Sequence, residues 1–282
     1  MRHLPLAFSF ILLATTSSLA QQVTKTVRLD PKHAVSYYKR GLVRFKNGDV
    51  EKAIADFSQA VKFDPKHSNA YFARAIALQT KGEWDKAISD FDQSIELDPK
   101  NANALSARGV AWQRKGELNK AIADCDEAIR LDPKHLTSFR TRGISWHQQG
   151  RYDKARADFD EAIRLEPNDF GSCCQLAWLL ATCPDATFRD GKRAIELATN
   201  ACEVSDWKNA YGLCALAAAY AESGDFANAV KWQEAFLRLG SEEDKKKWGF
   251  LLDLYKSGKP FRGGRQESRF GLDGRTPTEW MV

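Results

Sequence analysis

Six cysteines are the residues of this chain that could support covalent or redox chemistry. A thiolate is a nucleophile, two thiols in contact can form a disulfide, and four can hold zinc. In the helical pattern that the sequence predicts, Cys173 and Cys174 begin one helix, Cys202 ends its antiparallel partner, and Cys214 lies near the start of the next. We expect these four side chains to cluster. The alternatives for the cluster are a disulfide, free core thiols, or a zinc or thiol-enzyme site.

The histidines and the short motifs do not indicate a catalytic site. His33, His67 and His135 each follow Pro-Lys at a repeated position. This indicates a repeated loop, because ligands tens of residues apart on successive repeats cannot share one tetrahedral ion. His147 stands alone, and the sequence has no Gly-x-Ser-x-Gly or His-Glu-x-x-His pattern. We therefore predict no catalytic residue, no metal and no other cofactor.

Arginines and aspartates recur at two fixed positions and form a ladder of opposite charges. The two series are Arg40, Arg74, Arg108 and Arg142, and Asp56, Asp90, Asp124 and Asp158. One interpretation is a charged binding strip. We favour the other, a set of pairs between two helices, since guanidinium and carboxylate groups suit bidentate hydrogen bonding.

The overall charge balance argues against nucleic acid as a partner. Lysine and arginine total 42, aspartate and glutamate total 37, and the formal net charge is +5. Cations and acids are interleaved along the chain, whereas nucleic-acid binders concentrate their cations on one face.

The elements that position these residues follow a period of 34 residues, typical of a helix–turn–helix repeat. Apolar residues recur at helical spacing, a glycine suits the left-handed cap of each first helix, and a proline suits the first turn of the next repeat. Cys125 stands where other repeats have phenylalanine, so we expect it in the core. The recurring residues are Pro31, Pro65, Pro99, Pro133 and Pro167, and Gly48, Gly82, Gly116 and Gly150.

With this period and spacing, the sequence resembles the tetratricopeptide repeat family, and its variant repeat around Cys183 resembles exported bacterial members. The fourth repeat carries the motif most fully: Phe139, Gly143, Trp146, Ala155, Phe159, Ala162 and Pro167. The resemblance implies an all-α, right-handed solenoid of stacked helix–turn–helix repeats with a C-terminal capping helix.

Six segments are predicted. The first, residues 1–20, is a signal peptide that ends in small residues before Gln21, with an uncleaved membrane anchor as the alternative. The mature protein is then periplasmic or secreted and has no membrane span. The others are a lead-in at 21–33, four regular repeats at 34–169, two divergent repeats at 170–240, a solvent-facing capping helix at 241–257, and a flexible tail at 258–282.

The resemblance also implies a partner-binding groove lined by fixed offsets in each first helix. It would hold an extended or helical peptide with an apolar anchor and an acidic end, recognised by arginine. The alternative is that Tyr38 and Phe72 merely cover the next repeat. The predicted groove residues are Tyr38, Leu42, Phe45, Phe72, Ile76, Gln79, Val110, Gln113, Arg114, Arg140, Ile144 and His147.

These features together predict a non-enzymatic scaffold or adaptor that binds a partner protein or peptide. A structural subunit of an envelope complex that self-associates is the second hypothesis. An enzyme that uses the cysteine cluster is the third.

Overall fold

The computed structural model describes residues 33–263, and every regular element in this range is helical. This confirms the predicted all-α fold. The predicted signal peptide lies outside the described residues. The helices are α1 (Ala34–Lys46), α2 (Val50–Phe63), α3 (Ser68–Thr80), α4 (Trp84–Leu97), α5 (Ala102–Arg114), α6 (Leu118–Leu131), α7 (Leu136–Gln148), α8 (Tyr152–Leu165), α9 (Phe170–Thr182), α10 (Gly191–Val204), α11 (Ala210–Glu222), α12 (Phe226–Leu239), α13 (Glu242–Trp248) and α14 (Phe250–Lys256).

The chain divides into two compact units between Lys100 and Asn101. The N-terminal unit contains the helix pairs α1–α2 and α3–α4, which we call repeats one and two. The C-terminal unit contains four pairs, repeats three to six, followed by α13 and α14. None of the described helices has the length and apolar character needed to cross a membrane.

The 34-residue period sets where the helices of repeats one to four begin and end. Their first helices begin at Ala34, Ser68, Ala102 and Leu136. Each of these helices ends in a turn whose glycine adopts the left-handed region that other residues rarely enter, so the predicted caps are confirmed. The φ angles are +81° at Gly48, +73° at Gly82, +78° at Gly116 and +73° at Gly150.

An aspartate organises the turn between repeats one and two. Asp64 Oδ1 accepts a hydrogen bond from the backbone N–H of Lys66 at 3.0 Å, and the same bond recurs in the C-terminal unit. Pro65 lies inside this turn, and α3 begins only at Ser68. The prediction that the proline occupies the first turn of the next helix is therefore wrong.

Small residues in the first helices make room for the large side chains of the second helices. A Cβ atom on Gly41 would lie 2.5 Å from Phe57 Cε1, too close for any other residue type to fit without a shift. In repeat three, Cys125 replaces the phenylalanine and is fully buried, with its Sγ 3.1 Å from the Cβ position of Gly109. Cys125 is therefore a core residue, as predicted.

Repeat five joins its helices by a loop with a short 3₁₀ helix, Ala186–Phe188, in place of a glycine turn. Arg189 donates from Nη1 to the carbonyl oxygen of Cys183 at 2.9 Å and pairs through Nε with Glu222 of α11 at 3.0 Å. These contacts tie the loop to repeat six.

The C-terminal cap differs from the prediction of one solvent-facing helix over 241–257. Two seven-residue helices, α13 and α14, meet at Gly249. Trp248, Leu251 and Tyr255 are fully buried and belong to the core of repeats five and six. Charged residues of α13 face solvent, while the apolar residues of the same segment complete the core, so the prediction is wrong.

The predicted flexible tail, 258–282, also begins with ordered packing. Phe261 is 1% exposed, and its ring centre lies 5.8 Å from that of Trp178. The backbone N–H of Gly263 donates to the carbonyl oxygen of Thr182 at 2.8 Å. Residues 258–263 are thus part of the C-terminal unit, and 264–282 lie outside the described residues.

Candidate partner-binding face

The charge ladder is a set of ion pairs inside the repeats. In repeat one, Arg40 donates from Nε and Nη2 to the two carboxylate oxygens of Asp56 at 2.8 and 2.5 Å. The equivalent pairs of repeats two to four have the same bidentate geometry, at 2.6 to 2.9 Å. All four aspartates are buried. These pairs fix the geometry of each repeat, which confirms the structural interpretation over a binding strip.

We use the term groove face for the residues at the offsets of Tyr38, Leu42 and Phe45 in each first helix. In repeat one, Leu42 is 41% exposed. Tyr38 and Phe45 are partly buried, and the ring of Tyr38 lies 4.9 Å from that of His67 and 6.1 Å from that of Phe57. Repeat one therefore presents an accessible leucine beside an aromatic ring that is already held in place.

The groove face of repeat two is also partly exposed. Phe72, Ile76 and Gln79 each retain some accessible surface, and the ring of Phe72 lies 5.9 Å from that of Phe91. Gln79 Oε1 is buried without a hydrogen-bond partner among residues 33–263. Phe72 thus contributes both to packing and to the surface.

The same face is closed in repeats three and four. Val110 and Ile144 are each 3% exposed, and Gln113 is 6% exposed and donates from Nε2 to Gln148 Oε1 at 3.2 Å. The prediction that Val110, Gln113 and Ile144 line an open groove is wrong, because neighbouring first helices of this unit pack against one another. Arg114 remains partly exposed.

Arg140 is held by its own chain. Its Nη1 donates to both carboxylate oxygens of Asp169 at 3.0 and 3.1 Å, and Asp169 also caps α9 by accepting from the backbone N–H of Ser172 at 2.7 Å. The two side chains of the ion pair are only 16% and 14% exposed. The prediction that Arg140 recognises the acidic end of a partner is therefore wrong.

The histidines have packing and capping roles. Nδ1 of His135 accepts a hydrogen bond from the backbone N–H of Ser138 at 3.3 Å and so caps α7. The ring of His147 lies 5.6 Å from that of Tyr152, and burial lowers the pKa of His147 to about 4. His147 is therefore neutral at pH 7.

In repeat five the groove face is covered by the C-terminal end of the described chain. Trp178 holds the offset that Leu42 holds in repeat one, but it is 1% exposed because Phe261 packs against it. Close by, the carbonyl oxygen of Ala181 accepts a hydrogen bond from Arg262 Nη1 at 3.3 Å. Residues 261–263 thus lie where the resemblance would place a partner.

The cysteines are all buried and present as thiols. Cys174 is fully buried, and burial and the nearby thiols of Cys173, Cys202 and Cys214 raise its pKa well above the ordinary value. Burial raises the pKa of Cys173 to about 11 and that of Cys202 to about 12. Such thiols are protonated at neutral pH and are poor nucleophiles, which disfavours the hypothesis of a thiol enzyme. A disulfide within the cluster stays a prediction.

Three family models match the central part of the chain. Two, described as tetratricopeptide repeat, match residues 72–135 and 107–170, and one, described as TPR repeat, matches residues 41–82. The comparison with curated proteins finds no match.

Solved structures with a similar fold extend over more of the chain. The Cut9–Hcn1 hetero-tetramer of the APC/C has a TM-score of 0.72 and 17% identity over 82% of this chain, which spans only 44% of that chain. PilF of Pseudomonas aeruginosa has a TM-score of 0.66 and 21% identity over 80% of this chain and 97% of that one. YrrB, a TPR protein with an unusual peptide-binding site, has a TM-score of 0.52 and 16% identity over 69% and 97%. Residues 41–170 thus match tetratricopeptide repeat models, within a chain that has an all-α helical repeat fold.

Proposed function

We propose that this chain is a non-enzymatic scaffold or adaptor that binds a partner protein through the groove face of repeats one and two. The observation that carries the proposal is the uneven coverage of this face. Leu42 is 41% exposed, whereas Ile144 is 3% and Trp178 is 1% exposed at the same offset. An apolar surface that stays accessible in one place is a typical site for a partner.

The aromatic residues of this face are suited to anchor a partner. Tyr38 packs against His67, and Phe72 packs against Phe91, so both rings are positioned before a partner arrives. Rings held in this way lose little conformational freedom on binding, and aromatic anchors dominate the energetics of many interfaces. The peptide-binding site of YrrB, which has a similar fold, is consistent with this use of the repeats.

The proposal can be tested by affinity capture from the native envelope fraction with the full chain as bait. We expect Leu42→Glu to lose a specific partner that the wild type retains. Leu239→Glu is the matched control, because Leu239 is 53% exposed on a second helix, away from the groove face. Equal capture by both variants would place the site elsewhere. A defined oligomer of the purified chain would favour the self-associating assembly subunit.

We also propose that the protein is exported and acts in the periplasm or outside the cell. The support is the basic, then apolar, then small-residue pattern of residues 1–20. Mass analysis of native protein should find Gln21 at the N-terminus. A chain that retains Met1 would contradict cleavage and favour an uncleaved anchor.

A further inference from the structure

Helix α1 carries an exposed stripe in which apolar residues and lysines alternate. Val35 is 49% and Leu42 is 41% exposed, and Lys39 and Lys46 are exposed between and beyond them. Residues three or four apart lie on one helix face, so the stripe is continuous and about 16 Å long. The two apolar residues, like the two lysines, are seven positions apart.

The charged residues on the two first helices of this unit are all basic. Neither α1 nor α3 contains an acidic residue. The arginines of these helices are neutralised by acids of the second helices, since Arg40 and Arg44 pair with Asp56 and Arg74 pairs with Asp90. Within residues 33–263, Lys39 and Lys46 have no carboxylate within ion-pair distance. Their charges are therefore available to a partner.

The stripe is also specific to repeat one. At the offset of Lys39, α3 has Ala73 and α7 has Thr141, which are 8% and 2% exposed. The residues at this offset in α3 and α7 are small and buried, whereas Lys39 is large, charged and exposed. Repeat one therefore has an exposed lysine at an offset where α3 and α7 have small, buried residues.

From these observations we infer that the partner segment is an acidic amphipathic helix, an inference that rests on the proposed function of the groove face. Its apolar residues, spaced seven apart, would pack on Val35 and Leu42. Its carboxylates, at the same spacing, would pair with Lys39 and Lys46, as charged residues flank the seam of a coiled coil. Such pairs contribute mainly to specificity and to the rate of association.

The charge pattern disfavours two other occupants of the stripe, namely the lead-in segment of this chain and a second copy of the chain. The predicted lead-in at 21–33 carries Lys25, Arg28 and Lys32 against a single acid, Asp30. The α1 helix of a second copy would bring the same lysines to face their counterparts. Both would place like charges together, which weakens association.

The experiment uses the full chain and synthetic helical peptides of about 21 residues, long enough to form a helix. One peptide has leucine and glutamate, each repeating every seven residues, and the other has lysine in place of glutamate. The test variant is Lys39→Glu/Lys46→Glu. The control is Lys100→Glu/Lys134→Glu, which changes the net charge equally at exposed turn residues. Dissociation constants are measured by fluorescence anisotropy.

We expect the wild type and the control to bind the glutamate peptide equally. The test variant should bind it about tenfold more weakly and should gain binding of the lysine peptide. Equal weakening in both variants, or no change in the test variant, would overturn the acidic partner. A proline-interrupted glutamate peptide that binds as well as the intact one would overturn the helix.

The remaining outcomes separate this inference from the proposed function. If Leu42→Glu abolishes binding of the native partner but Lys39→Glu/Lys46→Glu does not, the groove face stands and the acidic helix fails. If the native partner survives both changes, the proposed function fails. Self-association that depends on the two lysines, or cross-linking of Lys39 to Lys25 in the free chain, would assign the stripe to another occupant.

Discussion

Leu42 and Trp178 hold the same position in repeats one and five, yet Leu42 is 41% exposed and Trp178 is 1% exposed. The difference arises because Trp248 and Phe261 pack against Trp178, with ring centres 5.6 and 5.8 Å away. The chain therefore closes one part of its groove face with its own residues. We propose that the partner binds on repeats one and two, where Leu42 is not covered in this way by any of residues 33–263.

The packing of Phe261 should make a large contribution to the stability of the C-terminal unit. Its replacement by alanine would leave a cavity beside Trp178, and we expect a loss of about 3–5 kcal/mol in the free energy of unfolding. Leu239→Ala, at a residue that is 53% exposed, should change stability by less than about 1 kcal/mol. Urea unfolding measures both. A loss of stability in Phe261→Ala as small as that in Leu239→Ala would show that residues 258–263 do not pack stably.

The ion pair of repeat three should behave as a coupled unit. Arg108 donates to Asp124 at 2.8 and 2.7 Å, and the aspartate is buried. Arg108→Ala and Asp124→Ala should each destabilise by about 1–3 kcal/mol, because each leaves a buried partner without its hydrogen bonds. The double variant should lose less than the sum of the two. Strict additivity in this cycle would argue against the pair.

The regular repeats could be predicted because their residues recur. The 34-residue spacing places a helix start at Ser68 and a left-handed glycine at Gly82, and both occur in the structure. The Arg74–Asp90 pair was predictable for the same reason, since its two residues recur at a fixed separation. Local rules of helix capping and close packing suffice for these features.

The closed parts of the groove face could not be predicted in this way. Arg140 pairs with Asp169, a partner outside the 16-residue spacing of the ladder. Trp248 and Phe261 lie in segments whose lysines, glutamates, glycines and prolines indicate a surface helix and a loose tail. Their burial depends on Trp178, far away in sequence, so tertiary packing overrides the local pattern.

His147 should make stability depend on pH. Burial lowers its pKa to about 4, while an unfolded chain has the ordinary value of about 6.5. Between these values the unfolded chain binds more protons, so stability is complete above pH 6.5 and falls as the pH falls towards 4. We expect the free energy of unfolding to fall by about 1–3 kcal/mol over this range of pH. The value should lie nearer the lower limit because the His147 side chain keeps some exposure. His147→Gln should lack this component, and identical pH profiles for the two proteins would contradict the prediction.

The cysteine cluster should form one disulfide when the protein is made in an oxidising compartment. The Sγ of Cys202 lies 3.2 Å from the Cβ position of Gly212, which places the start of α11 against it. We predict that Cys202 bonds to Cys173, Cys174 or Cys214, provided that their α-carbons lie within about 7 Å. Non-reducing peptide mapping tests this pairing. Six free thiols would refute it and favour the alternative of a thiol core.

We propose that a partner binds on the groove face of repeats one and two. Hydrogen–deuterium exchange of the full chain, alone and with its captured partner, locates the site directly. We predict new protection in the peptides that cover α1 and α3, with exchange in α9 and α11 unchanged. Protection confined to α9, α11 or the second helices of the repeats, with exchange in α1 and α3 unchanged, would contradict a partner site on this face.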